Sequence, residues 1–180
     1  MTQDILEQIK RELTNGHAKR GHPFRYFTLA TNNGKTSRLR TVVLRKMRSD
    51  FTLIVYTDLR SEKIKHINKN SAVNALFYNP KKLTQVTIEG HAKIITDSEK
   101  LKAYWTNIPE KSRKDYTAIK PPGTAIKNPD NVEYNFDNPN FCIIEIVPET
   151  IEYLQLKRPN HLRVLFKKND GDFDGEFLVP

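Results

Sequence analysis

Cysteine, tryptophan and long apolar stretches are all scarce in this chain. The single cysteine among 180 residues, Cys142, excludes an internal disulfide. It follows Phe141 in an apolar, strand-like run, which reads as a core thiol of a cytoplasmic protein and not as a nucleophile. No apolar run approaches the roughly 20 residues that cross a bilayer. The opening Met1–Leu13 mixes charged with apolar residues where a secretory leader carries an apolar block. A soluble protein with no membrane partner is therefore expected. GxGxxG, GxxxxGK[ST] and GxSxG are all missing, so dinucleotide, P-loop and hydrolase readings lack their main motif. His17, His22, His66, His91 and His161 are scattered without the spacing of a ligand set, so no metal site is expected. No side chain stands out as a catalytic acid, base or nucleophile.

What is present is ordinary globular material. Apolar residues make up 37% of the chain and charged residues 28%. The length suits one domain over residues 1–180. A net charge of +9 favours anionic partners without choosing among nucleic acid, phosphorylated ligands and acidic surfaces.

Residues 2–14 fit an amphipathic helix, with Thr2 as cap and Ile5, Leu6, Ile9 and Leu13 on one stripe; Asn15-Gly16 ends it. Strands are expected at 24–31, 37–46 and 51–57, the first two joined by the turn signal Asn32-Asn33-Gly34. The period then changes, and residues 59–69 suit a short helix capped by Asp58. Two further strands, 72–78 and 85–95, precede a helix that starts at Asp97 or Ser98, carries Leu101, Tyr104 and Trp105, and stops near Pro109. Residues 117–140, rich in proline and asparagine, read as a long loop, and loops of that length are often functional. Strands at 141–156, with Pro148 marking an edge or a bend, at 162–168 and at 173–179 close the chain. About seven strands, mostly joined by short turns, argue for a mainly β, antiparallel barrel with peripheral helices. A parallel sheet would need crossover helices that are not there.

Two segments carry candidate chemistry. Along the strand Arg38–Arg45, alternation places Arg38 and Arg40 on one side with Val42 and Leu44, and Thr41, Val43 and Arg45 on the other. Arginine inside an apolar strand is costly unless it is paired or bound to an anion, although a solvent-facing ribbon also fits the pattern. The next strand ends in Tyr56-Thr57-Asp58, and a helix follows. Its first turn, with the Thr57 and Ser61 hydroxyls, Arg60 and Lys63, makes a phosphate cradle; ordinary capping by Asp58 is the plainer alternative. Asp58 and Glu62 weigh against an anion if they turn inward.

Taken in order, Arg40-Thr41-Val42-Val43-Leu44-Arg45, Tyr56-Thr57, Ser61-Glu62-Lys63 and Gln85-Val86 resemble the FMN-binding motifs of the pyridoxamine 5'-phosphate oxidase family. Glu89-Gly90-His91-Ala92, Ile151–Leu154, His161-Leu162-Arg163 and the final Pro180 extend the resemblance from about residue 20 onward. It implies a split β-barrel whose two copies build FMN sites across a homodimer interface. Arg40 and Lys63 would hold the FMN phosphate, with hydrogen bonds from Thr57 and Ser61. Thr41, Val42, Val43, Leu44, Tyr56 and Arg60 would complete the cofactor contacts, and Arg45 would lie toward the flavin or the substrate. Gln85 would reach the cofactor from the other side of the dimer, and Arg163 would meet the flavin ring edge. Arg45, Tyr104, Ser112 and His161 would contact a pyridoxamine-type substrate.

The sequence departs from that pattern at four places. Glu62 stands where a second basic residue is usual, with Arg60 as a replacement; Leu154 stands where a tryptophan is usual. Ile108 takes the place of a substrate arginine, and Arg158 is displaced by Pro159. The resemblance implies an FMN-dependent oxidoreductase of a small organic substrate. A flavin-binding carrier or sensor without turnover is the alternative, motivated by the missing arginine. A nucleic-acid-binding barrel, resting on charge and on Tyr26, Tyr78 and Tyr116 as exposed aromatics, lacks a recognisable motif, so no nucleic-acid partner is expected.

Overall fold

A computed structural model describes residues 1–180. Nine antiparallel strands form one curled sheet: β1 (Tyr26–Asn32), β2 (Ser37–Val43), β3 (Lys46–Met47), β4 (Leu53–Asp58), β5 (Ala72–Asn79), β6 (Thr84–Ile95), β7 (Phe141–Gln155), β8 (Leu162–Asn169) and β9 (Asp172–Leu178). Their order is β2-β1-β5-β6-β7-β4-β3, with β8 and β9 added beside the second half of β7. The sheet closes on itself because one stretch serves both ends. Ser37–Val43 pairs with β1, and Lys46–Met47, a few residues on, pairs with β4. At the change of partner, Arg45 N–H donates to Ile54 O at 2.9 Å. The mainly β split barrel expected from the sequence is what forms.

Strand alternation builds the core. In β5, Val73, Ala75 and Phe77 point inward while Ala72, Asn74, Leu76 and Tyr78 point out. Phe27 and Phe77 stack inside the barrel at 4.6 Å, and Leu6, Ile9 and Leu13 of helix α1 (Thr2–Ala18) cover one opening. A smaller apolar cluster lies outside β4 and β7. There Ile54, Ile143, Phe141 and Tyr116 meet Leu101, Tyr104 and Trp105 of α3 (Ser98–Trp105). Two short helices, α2 (Glu62–Lys69) and α4 (Glu110–Arg113), complete the chain. None of the helices is long and apolar enough to cross a membrane.

Several local expectations change. Helix α1 runs through Asn15-Gly16 instead of ending there, and Met1, not Thr2, stands at its cap position. Gly16 is a contact residue: a Cβ there would lie 2.8 Å from the Phe24 carbonyl oxygen. The strand expected through residue 46 breaks at Leu44-Arg45, where it changes partner. Helix α2 begins at Glu62 with Ser61 at the cap, because the Asp58 carboxylate is held by Arg60 instead. Pro148 sits inside a long central strand, in the interval where β4 has ended and β8 has not begun. A β-bulge at Glu89/Gly90 absorbs the irregularity. Tyr116, expected to be exposed, is 5% exposed within the second cluster.

Candidate functional site

Four residues expected to act together do converge. Lys63 Nζ donates to Thr57 Oγ1 at 2.9 Å, and the Thr57 and Ser61 hydroxyls lie 3.2 Å apart, both buried. Burial, and then the neighbouring Arg40, hold the Lys63 ammonium below the ordinary lysine value. The Arg40 guanidinium is also lowered, chiefly by burial, with Glu62 opposing the shift and Arg38 adding to it. Neither cation has a carboxylate in salt-bridge contact. Two half-buried positive charges, one near enough to lower the other and neither in salt-bridge contact with a carboxylate, give this region a positive character suited to an anion.

Other residues hold this geometry. Arg40 Nη1 donates to Thr31 Oγ1 at 2.7 Å and to Leu29 O at 3.2 Å, and Thr31 Oγ1 lies 3.1 Å from His66 Nδ1. Sequence reasoning missed Thr31 and His66. The available signals were a polar residue at an inward strand position, after Phe27 and Leu29, and a histidine one helical turn from Lys63.

The two carboxylates that could spoil the site are accounted for. Glu62 turns out to Arg38 at 3.2 Å. The buried Asp58 receives Arg60 through Nη2 at 2.7 Å and Nε at 3.1 Å. Arg60 also donates to the carbonyls of Ala118 and Ile119 at 2.6 and 2.7 Å. The structure therefore uses Arg60 to tie residues 117–135 to the barrel, not as a second free cation. Within that loop, Thr117 O accepts from Asn135 N and Glu133 O from Ile119 N, so the lobe is closed at its base.

Val42 and Leu44 point into the core, Thr41 is exposed on the outer face, and Val43 is half-buried. Arg45 hydrogen-bonds the Tyr116 hydroxyl at 3.2 Å, with its guanidinium 5.4 Å from the Tyr56 ring centre. Burial pushes the Tyr56 phenol up to about 12, so it stays protonated at neutral pH. Tyr104 meets Tyr56 edge-on at 6.0 Å, and Ser112 lies half-buried in α4. Ile108 is buried in the second apolar cluster. Cys142 is fully buried and its thiol is pushed up to about 12 by burial, then by Asp58, so it is a core residue.

Gln85 and Arg163 lie elsewhere in the chain. Gln85, Leu154 and Arg163 form one cross-strand row over β6, β7 and β8. Arg163 Nη2 donates to Glu152 at 3.0 Å, while its Nε is buried without a partner. His161, exposed nearby, accepts from Lys157 N–H at 3.1 Å. No hydrogen bond or ion pair joins this row to Arg40 or Lys63 within one chain.

The family model described as pyridoxamine 5'-phosphate oxidase, FMN-binding domain, matches residues 4–96. The pyridoxine/pyridoxamine 5'-phosphate oxidase of Psychrobacter cryohalolentis is 30% identical over 159 residues, 79% of this chain and 72% of that protein. A pyridoxamine 5'-phosphate oxidase-related, FMN-binding protein of Nostoc punctiforme has a TM-score of 0.78 at 24% identity, over 97% of this chain and 96% of that one. PhzG of Burkholderia lata, solved with tetrahydrophenazine-1-carboxylic acid, has a TM-score of 0.76 at 16% identity, over 97% of this chain and 92% of that one. These two structural likenesses speak for the fold. Motif order, barrel topology and sequence match agree, and the chain belongs to the pyridoxamine 5'-phosphate oxidase-like FMN-binding family.

Proposed function

We propose that this chain is a homodimeric, FMN-dependent oxidoreductase of a small organic substrate, working in the cytoplasm. The observation that carries the reading is the pair Arg40 and Lys63: half-buried, both depressed in pKa with Arg40 adding to the lowering of Lys63, and without a carboxylate in salt-bridge contact. A flavin phosphate fits that charge, and the Thr57 and Ser61 hydroxyls add hydrogen-bonding partners. FMN, when bound, supplies the capacity to accept and release a hydride or electrons. The protein's part is placement and electrostatics.

A dimer is supported by two features. Gln85 and Arg163 lie apart from the phosphate cradle in one chain, so a second copy would have to bring them to it. The outer face of β1, β2 and β5 also exposes Tyr26 (55%), Leu39 (69%), Tyr78 (47%) and Leu76, apolar side chains that a second copy could cover. Arg163 would bear on the flavin while keeping Glu152 on its other edge. The positive charge then serves small anions, and no nucleic-acid partner is required.

A flavin-binding module without turnover is the second reading. The buried, uncharged Ile108 favours it, since that position offers a substrate no cation. Purified protein should be yellow, release FMN on denaturation and sediment as a dimer. Aerobic oxidation of pyridoxamine 5'-phosphate or of reduced nicotinamides would support the enzyme. A yellow dimer inert to both would support the module, and a colourless monomer indifferent to added FMN would end both readings.

A further inference from the structure

Two polar bridges join strand β2 to helix α2, and both start on the same face of the strand. In the first, Arg38 Nη2 meets Glu62 Oε1 at 3.2 Å. In the second, Arg40 Nη1 donates to Thr31 Oγ1 at 2.7 Å, and that oxygen lies 3.1 Å from His66 Nδ1. Glu62 and His66 stand one helical turn apart, with Oε1 and Nε2 3.9 Å from each other. The bridges therefore close a ring through β2, β1 and α2. Its two arms are unequal. The Arg38 and Glu62 side chains are more than half exposed, and an ion pair in that setting contributes little. Thr31 and His66 are 1% and 4% exposed, so water does not compete for their hydrogen bond. Counting donors gives that bond a direction. Thr31 Oγ1 accepts from Arg40, and His66 Nδ1 is the only acceptor in reach of its O–H. A proton on Nδ1 would leave the buried hydroxyl with nothing to donate to. His66 thus carries its proton on Nε2, the nitrogen that faces Glu62.

We infer that His66 is a positioning residue for the phosphate cradle: through the Thr31 hydroxyl it holds Arg40 toward α2, the helix that carries Lys63, and so sets the preference for a phosphorylated over an unphosphorylated flavin. In naming a flavin the inference rests on the reading above. Arg40 and Lys63 are like charges on different elements, and Arg40 adds to the lowering of Lys63. Their own interaction drives them apart, so their spacing depends on how α2 is fastened to β2. A phosphate then meets both cations already in place, without ordering them as it binds.

Two measurements test this. Imidazole nitrogen NMR of the ligand-free protein at mildly alkaline pH should show the His66 proton on Nε2, and Thr31→Val should shift the Nδ1 signal; a proton on Nδ1 would overturn the inference. Titration with FMN and with riboflavin is the second. His66→Leu should weaken FMN binding about fivefold, as expected for Thr31→Val, while riboflavin affinity changes less than about twofold. The double variant should lose no more than either single one, because the two residues act in series. His66→Asn, whose Oδ1 can accept in place of Nδ1, should restore most of the preference for FMN. An undiminished preference in His66→Leu, losses that multiply in the double variant, or equal weakening of both flavins would overturn the inference. A wild type that prefers neither flavin would end the flavin reading, and this inference with it, whatever the tautomer of His66.

Discussion

Lys63 and Arg60 stand within one turn of each other, and the fold uses them in opposite ways. Arg60 has a buried carboxylate on one side and two loop carbonyls on the other, so its charge is spent on holding the chain together. Lys63 has one hydroxyl and a neighbouring arginine, so its charge is a cost to the ligand-free fold. Nearness to a helix start therefore leaves one of two neighbouring cations paired with a carboxylate and the other without one.

Replacing Lys63 should break that contrast most sharply. In Lys63→Met the FMN Kd should rise roughly 150-fold, about 3 kcal/mol, as expected for losing a charged hydrogen bond from a half-buried anion. Quenching of FMN fluorescence on titration measures it. Ligand-free stability should move the other way. A lysine whose folded pKa lies below its ordinary 10.5 destabilises the fold at neutral pH, and that penalty fades as pH rises through the depressed value toward 10.5. Ligand-free Lys63→Met should therefore melt no lower than wild type at pH 7, with wild type gaining on it as the pH is raised; a marked fall in melting temperature would contradict this.

Arg60→Ala should show the reverse profile. It strands the buried Asp58 carboxylate and frees the loop, costing about 2 kcal/mol and lowering the melting temperature by roughly 4–8 °C, with allowance for the partial exposure of Arg60. Limited proteolysis should cut faster near Lys120, while the FMN Kd changes less than about threefold. A large loss of FMN with an intact loop would return Arg60 to the phosphate.

Thr31→Val gives the smallest effect. It removes the hydroxyl that steadies Arg40, and FMN affinity should fall about fivefold, near 1 kcal/mol. An unchanged affinity would mean that Arg40 needs no support from that strand.

Much of the cradle was legible in the sequence because it is local. Strand alternation put Arg40 on the inward side, and the change of period after Asp58 put Ser61 and Lys63 at a helix start. The supporting residues were not legible, since Thr31 with His66 and Arg45 with Tyr116 meet only through the closed barrel. Arg60 was read with Lys63 as part of the cradle, capping by Asp58 being the plainer alternative, whereas in the fold the Asp58 carboxylate is held by Arg60. One hydrogen-bonding choice by that carboxylate changes both roles. Asn15-Gly16 reads as a helix stop, but close contact with Phe24 explains the glycine and the helix continues through Ala18. The barrel itself was plain from alternation and turns, except where one strand serves two partners.

The most direct test compares FMN with riboflavin, which lacks only the phosphate, in binding to wild type and to Arg40→Ala. Wild type should bind FMN at least 100-fold tighter, a gap of about 2.7 kcal/mol, and Arg40→Ala should close most of it. Equal affinity for the two flavins in wild type would contradict it.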